Sequence, residues 1–483
     1  MQIHAQRRPL PGAFAVAGLL LQLCLGGCAV GPSYQKPATP LSPFHSAAAL
    51  HARRTDASPP ALESWWDGFN DPVLSGIVRR ARDQNLDLAA ALARVQEARA
   101  AALGAGAQLL PTLDANAQAN RIHQSLESPI GQIASHVPGF GRDQSLYDAG
   151  LGASWELDLF GGLRRGGEAA SAEFDAAIAE QTGVRISVTA DAADAYLRIR
   201  GDQARIVVAE QQVATDTHLL ELVRQRFDSG LASVREVAQA EALMSQARAS
   251  LQPLHIDLEA QMNRLDVLLG VQPGTLAAEM QAPRQIPDVP NMSADDSPVE
   301  VLRRRPDVIA AERHLAASNA RIGQTLSEYY PKISLAGVLG YESSLPRDLF
   351  KAATFQPQGV AGLRWRVFDF GKVSAEVAQA KGAKAEALAH YQKAVLHAAE
   401  EVEDAFTSLV QLEAHRQQLL VEVAALTRAP DASQDAYRGG VIALTDVLDA
   451  DRQLLAAQDE LAQTRADSAR AAVGTFRALG GGW

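Results

Sequence analysis

Cysteine is almost missing from this 483-residue chain; Cys24 and Cys28 are its only two, both near the N-terminus. Long hydrophobic runs are missing too. Beyond the first 27 residues no apolar stretch reaches the length of a transmembrane helix, so any membrane crossing must be made by strands. The motifs of common enzymes are absent: there is no metal-binding histidine spacing, no GxSxG turn and no phosphate loop. His314 and His397 fall inside helical patterns and read as packing or surface residues. The chain is therefore expected to have no catalytic site and to need no metal or organic cofactor. Positive charge is also in short supply, with 45 Lys and Arg against 56 Asp and Glu. That balance argues against nucleic acid as a partner.

What the N-terminus does contain is an export signal. Arg7 and Arg8 precede an apolar run from Ala13 to Leu25 that is too short to span a bilayer. It ends Leu25-Gly26-Gly27-Cys28, small residues directly before a cysteine, the pattern of a bacterial lipobox. Cleavage before Cys28 would leave that residue to carry the lipid, and Ala29 after it, rather than Asp, favours the outer membrane by resemblance to such lipoproteins. It would also leave 43 basic against 56 acidic residues, a net charge near −13, and no cysteine pair for a disulfide. An ordinary signal peptide cut near a cysteine is the alternative. A proline-rich linker comes next, with Pro32, Pro37, Pro40, Pro43, Pro59 and Pro60 among Ser, Thr and Ala. Asp71-Pro72 then reads as a helix start, after a Trp65-Trp66 pair assigned to packing.

Two periods alternate along the rest. From Gly359 to Phe370 the residues Ala361, Leu363, Trp365 and Val367 fall on one side, and Gly362, Arg364, Arg366 and Phe368 on the other, a two-faced strand. After Gly371 the period becomes helical for some sixty residues, with a heptad-like seam from Val395 to Leu426 broken only by Arg416. Such a helix is about 90 Å long. Three more segments alternate: Leu113 to Ala119, Leu151 to Leu159 and Ile333 to Tyr341. Each is about ten residues, the length of a lipid-facing barrel strand.

The chain also repeats itself. Asp87-Leu88 through Pro111 matches Asp307-Val308 through Pro331 at an offset of 220, and Trp155 to Gly161 matches Trp365 to Gly371 at 210. The offset of 210 persists through Phe227…Gly230 against Tyr437…Gly440. Each unit reads helix, strand, loop, strand, long helix, turn, long helix, and the difference in offset belongs to the loop between the strands. Pro253 is expected to bend its helix. Four strands cannot close a barrel, and an open sheet edge is not permitted in lipid, so the chain is expected to assemble with copies of itself.

These motifs together carry a family resemblance. Gly31-Pro32-Ser33-Tyr34, Trp65-Trp66 to Pro72, Arg304-Arg305-Pro306-Asp307, Ala398 to Ala405, Thr445 to Ala450 and Leu479 to Trp483 run along nearly the whole chain. They resemble a TolC-type outer-membrane efflux channel of the lipoprotein branch that serves RND multidrug pumps. The resemblance implies an α+β membrane protein in a Gram-negative outer membrane. It would be a homotrimer whose twelve strands form one barrel, continued by a periplasmic helical barrel with a mixed equatorial belt. The implied partners are outer-membrane lipid, a periplasmic membrane-fusion adaptor and an inner-membrane RND pump. The implied organisation is signal peptide 1–27, then anchor, linker and equatorial segment 28–85. A first repeat 86–300 has its hairpin at about 111–160 and helix pair at about 163–270. A second repeat 301–475 has its hairpin at about 331–370 and helix pair at about 372–475, before a tail 476–483.

The implied functional site lies at the tips of the helix pairs. Asp446 and Asp449 are one helical turn apart, hence on one face. Read alone, Asp446 is a helix cap and Asp449 a solvated acid. In the family, matching acids line the periplasmic aperture, and three copies would stack carboxylate rings that repel one another and favour cations. A tyrosine matching Tyr437 and an acid matching Glu236 take part in gating links, whereas Ile442 stands where some relatives carry arginine. Glu156, Asp158, Arg364 and Arg366 are expected to line the barrel lumen. The implied function is passive conduction of small molecules through an aperture opened by the docked pump and adaptor. An exit duct for secreted proteins, or for metal or another substrate, would share the fold. A coiled-coil structural lipoprotein would not explain the alternating strands or the duplication.

Overall fold

At several helix ends a side chain satisfies the first backbone amides or a glycine closes the last turn. The computed structural model describes residues 29–38, 42–52, 59–292 and 298–483, so the signal peptide and Cys28 lie outside the described residues. The main elements are α1 (Pro72–Gln84), α2 (Leu86–Ala107), β1 (Thr112–His123), β2 (Asp143–Leu157), α3 (Gly162–Asp228) and α4 (Val234–Leu268). They continue as α5 (Pro306–Leu326), β3 (Lys332–Ser343), β4 (Phe355–Arg364), α6 (Lys372–Leu426), α7 (Ala429–Arg438) and α8 (Leu444–Ala478). At α1 the Asp71 carboxylate accepts from the amides of Val73 (2.8 Å) and Leu74 (3.2 Å), with Pro72 at the position that needs no donor. Asn85 does the same for α2, accepting from Leu88 N at 3.0 Å.

The longest helix, α3, has 67 residues, about 100 Å at 1.5 Å per residue. Its counterpart in the second repeat is split: α6 ends at Leu426 and α7 begins at Ala429. Pro430 lies at the break: it supplies no amide to continue the helical hydrogen bonds, and the new helix starts with it in the first turn. The corresponding position in α3 is Leu220, and α3 runs on. Pro253, by contrast, lies within α4 without ending it.

Contacts divide the chain into two units that do not follow the sequence repeat. One comprises residues 1–37, 96–175 and 312–389, the other 38–95, 176–311 and 390–483, so each repeat contributes to both and the division cuts four helices. The first unit contains one antiparallel sheet in the order β1-β2-β3-β4. Its register places Leu113 by Ala153, Ala115 by Leu151, Leu151 by Leu339, Trp155 by Leu335, Leu335 by Ala361 and Ile333 by Leu363. Since paired residues share a face, one face is apolar across all four strands. The other carries Asp114, Asn116, Gln118, Asp148, Glu156, Ser334, Gln356 and Gln358. The apolar face stays uncovered: Leu113 is 68% exposed, Leu339 60% and Leu363 67%.

The duplication is visible in hydrogen bonds. Trp155 Nε1 donates to Leu109 O at 2.9 Å, and Trp365 Nε1 donates to Tyr329 O at 3.0 Å, which reproduces both offsets in one pair of contacts. The strand read to Phe370 ends at Arg364, however. Trp365 to Phe370 is irregular, and its aromatic side chains imitate alternation without pairing.

The second unit holds the main core. Trp65 stacks on Phe476 with ring centroids 5.2 Å apart, and Leu74, Ile77, Tyr196, Leu197, Ile199, Leu265 and Phe406 pack fully buried around them. The Arg304-Arg305-Pro306-Asp307 segment serves this core. Arg304 Nε donates to Leu479 O at 2.7 Å, and buried Arg305 binds Asp307, Glu401 and the Ala478 carbonyl. The segment thereby ties the C-terminal end of the chain to the helices around it.

Candidate functional site

The two helix-pair tips are built alike. At the end of α3, Gly230 takes φ 72°, its amide bonds Phe227 O, and Leu231 N reaches back to Arg226 O at 2.8 Å. At the end of α7, Gly440 takes φ 74°, bonds Tyr437 O, and Val441 N reaches Ala436 O at 2.8 Å. Both are left-handed caps of the Schellman kind, which glycine adopts without steric cost. The helices that leave the tips are capped differently. Ser233 and Glu236 form a reciprocal box at α4: Ser233 N donates to Glu236 Oε2 at 2.7 Å, and Glu236 N donates to Ser233 Oγ at 3.3 Å. At α8 the equivalent position is Ala443, so only half the box remains, with Ala443 N donating to Asp446 Oδ2 at 3.1 Å.

Beneath the turns a small core joins the two tips. Leu219, Leu220 and Val223 of α3, Ala240 of α4, Tyr437 of α7, and Leu444, Val447 and Leu448 of α8 are buried together. Ile442 packs against this cluster; an apolar residue there extends the core and makes no polar link. Tyr437 is 2% exposed, and its hydroxyl lies 3.4 Å from Glu236 Oε1 as a weak donor. Burial, then the nearby Glu236 charge, pushes the Tyr437 phenol above its ordinary pKa. The Ser233 amide holds the Glu236 carboxyl below its ordinary range.

Arg226 completes the arrangement, and nothing local in the sequence marks it. Its guanidinium sits 4.5 Å from the centre of the Tyr437 ring, while Nη1 donates to Tyr437 O at 2.8 Å and Arg438 O at 3.0 Å. A basic residue in the last turn of α3 satisfies carbonyls at the end of α7, where the helix dipole is negative. Three residues thus fasten one tip to the other: Arg226 from α3, Glu236 from α4 and Tyr437 from α7.

The acids expected at the aperture are free of that clasp. Asp446 and Asp449 are both exposed on one face of α8, with Val447 and Leu448 buried on the opposite side. Asp446 caps its helix, and Asp449 Oδ2 accepts from Gln453 Nε2 at 2.8 Å. Further along the same helices lies a buried acid pair that the sequence pattern does not announce. Asp216 is 1% exposed, and burial, aided by Asp451, raises its pKa to about 6.

The expected lumen residues separate into two groups. Glu156 and Arg364 lie on the polar face of the sheet, where Lys332 pairs across from Arg364 and places Nζ 3.9 Å from Glu156 Oε1. Asp158 and Arg366 do not lie on it. Asp158 comes after the end of β2 and caps α3, accepting from Leu163 N at 3.1 Å and Arg164 N at 2.9 Å. Arg366 comes after the end of β4 and sits 3.3 Å from Glu328. Both fit a strand pattern only because alternation runs past the last paired residue. Among the described residues no group of three or more His, Cys, Asp or Glu is placed to hold a metal ion, and no helix is long and apolar enough to cross a membrane.

A sheet with a bare apolar face, two open edges and duplicated long helix pairs ending in an acidic tip defines an outer-membrane channel protein. The chain belongs to the Outer membrane efflux protein family, whose sequence pattern matches residues 77–271 and 298–481, one stretch for each repeat. It is 32% identical over 436 residues to the pyoverdine export outer membrane protein OpmQ of Pseudomonas aeruginosa, covering 90% of each chain. With the outer membrane protein OprJ of the same organism it shares 31% identity over 472 residues, 98% of this chain and 96% of that one. The solved outer-membrane channel OprN superposes with a TM-score of 0.86 at 32% identity, over 94% of this chain and all of that one.

Proposed function

We propose that this chain is the outer-membrane exit duct of a tripartite efflux pump, conducting small molecules passively from an RND pump and adaptor across the outer membrane. The observation that carries the proposal is the four-stranded sheet with exposed apolar face and unpaired edges on β1 and β4. Three copies supply twelve strands, enough to close a barrel that four cannot. Lipid then covers the apolar face, and the polar face lines the lumen. At the helix-pair tips, three copies of Asp446 and Asp449 form stacked acid rings that narrow the aperture and select cations. The Arg226–Tyr437–Glu236 clasp holds the tips in their resting form until the adaptor and pump dock. Cys28 carries the lipid; Val30 N bonds Phe160 O at 3.0 Å, which fixes the chain just after it at the end of β2.

The test is conductance of the purified full-length protein in a planar bilayer, compared with Asp446→Asn/Asp449→Asn. The wild type should form cation-preferring pores and the double variant should lose that preference. Unaltered ion selectivity would remove the acids from the aperture, and no conductance even from Arg226→Ala, whose clasp is undone, would remove the duct.

A further inference from the structure

Away from the tips, the second unit contains a cavity of about 780 Å³ that no part of the conduction scheme uses. Its walls come from α3 (Ala204, Val207, Val208, Gln211), the segment 283–288, α6 (Arg416, Leu420) and α8 (Gln458, Leu461, Ala462, Arg465). The segment is anchored at one end: fully buried Arg200 donates to Ala282 O at 3.0 Å, and Pro283 and Pro287 stiffen the residues beyond that anchor. The volume falls within the range of roughly 300–1,000 Å³ common for small-molecule sites.

Its charge distribution is unusual for this chain. Arg284, Arg416 and Arg465 all line it, against one acid, Asp288. Among the described residues none of the three arginines has an ion pair or a side-chain hydrogen bond. Three other arginines of the same unit are matched: Arg205 with Asp459, and Arg198 and Arg470 with Asp194. Arg416 is the residue that breaks the apolar seam of α6, and its Nε is shielded from solvent without an acceptor. A guanidinium cannot escape desolvation by losing its proton. A buried donor left without an acceptor is costly, so the site calls for one. Beside it, Val207, Val208, Leu420 and Leu461 offer apolar surface.

We infer that this cavity binds a small amphipathic anion, its carboxylate, sulfonate or phosphate head on Arg416 and Arg465 and its apolar body against α3 and α8. Arg284 lines the same cavity as a third cation, and Asp288 is the one acid among the lining residues. The inference stands apart from conduction and does not depend on it.

The probe is 2-naphthalenesulfonate, titrated by calorimetry into the full-length assembled protein in a neutral detergent, with uncharged 2-naphthol as control. Saturable binding of one sulfonate per chain is expected, weakened by salt, with no saturable signal from 2-naphthol. Arg416→Gln should weaken binding at least ten-fold at unchanged circular dichroism and oligomer size. Should that variant misfold, the exposed Arg465→Gln carries the same test. Displacement of the sulfonate by dihexanoyl phosphatidylglycerol would assign the head to a lipid, and failure to displace it to a free anion; both leave the site in place. Equal binding of 2-naphthol, undiminished affinity in both variants, or no saturable binding would overturn it.

Discussion

Replacing Arg226 by alanine should open the resting tip. The side chain makes two charged hydrogen bonds to the carbonyls of Tyr437 and Arg438, at 2.8 and 3.0 Å, and one cation–π contact at 4.5 Å. Hydrogen bonds from a charged donor contribute about 1.5–3 kcal/mol each when buried. Arg226 is half-buried, so about 1 kcal/mol apiece is the appropriate figure. The ring contact adds about 1 kcal/mol. The loss of about 3 kcal/mol shifts the balance between fastened and loosened tips by roughly a hundred-fold. Single-channel recording on the purified protein reads this directly, as longer or larger open events. Arg226→Lys keeps the charge but loses the planar fork, and should fall between the two. A cell assay runs in parallel, with the variant admitting a large antibiotic at unchanged surface level. Wild-type conductance from Arg226→Ala, at equal assembly, would refute the reasoning that these contacts hold the tip shut.

Three further outcomes are set by the geometry. Tyr437→Phe should be nearly silent in stability, because it removes only a 3.4 Å hydrogen bond, whereas Tyr437→Ala empties a buried aromatic site and should cost about 3–5 kcal/mol in thermal or denaturant unfolding. Asp216 has a folded pKa of about 6 against an ordinary value of 3.8, so its contribution is fully present below the ordinary value and lost as pH rises through about 6. Asp216→Asn should therefore raise the melting midpoint at pH 7, by the equivalent of about 3 kcal/mol, and flatten its dependence between pH 4 and 6. Gly440→Ala forces a side chain into φ 74° and should cost about 1–2 kcal/mol, read as a lower melting midpoint.

The parts legible in the sequence were those with a strict period. Leu151, Ala153, Trp155 and Leu157 alternate and lie on one face, and Trp155 and Trp365 declared the duplication before either indole had a partner. Strand ends were not legible. Alternation continues through Trp365, Val367 and Phe368 and through Asp158, yet pairing stops at Arg364 and Leu157. Whether a residue pairs depends on the neighbouring strand, which the local pattern does not encode. Ser233 and Glu236 stand at capping-box spacing, so that cap is local and readable. Arg226 was unreadable for the opposite reason: its partners are carbonyls 211 and 212 residues away. Asp216 and Asp451 likewise resemble surface acids on polar helices until tertiary packing buries them.

The register of the sheet also dictates an order of events during biosynthesis. Strands β2 and β3 pair along their whole shared length, yet the chain between Leu157 and Lys332 must be made before they can meet. Until the second hairpin forms, the first has Leu113 and Leu151 bare and both edges unsatisfied, a state prone to wrong pairing. So distant a contact closes slowly, which lengthens the time the first hairpin spends in that state.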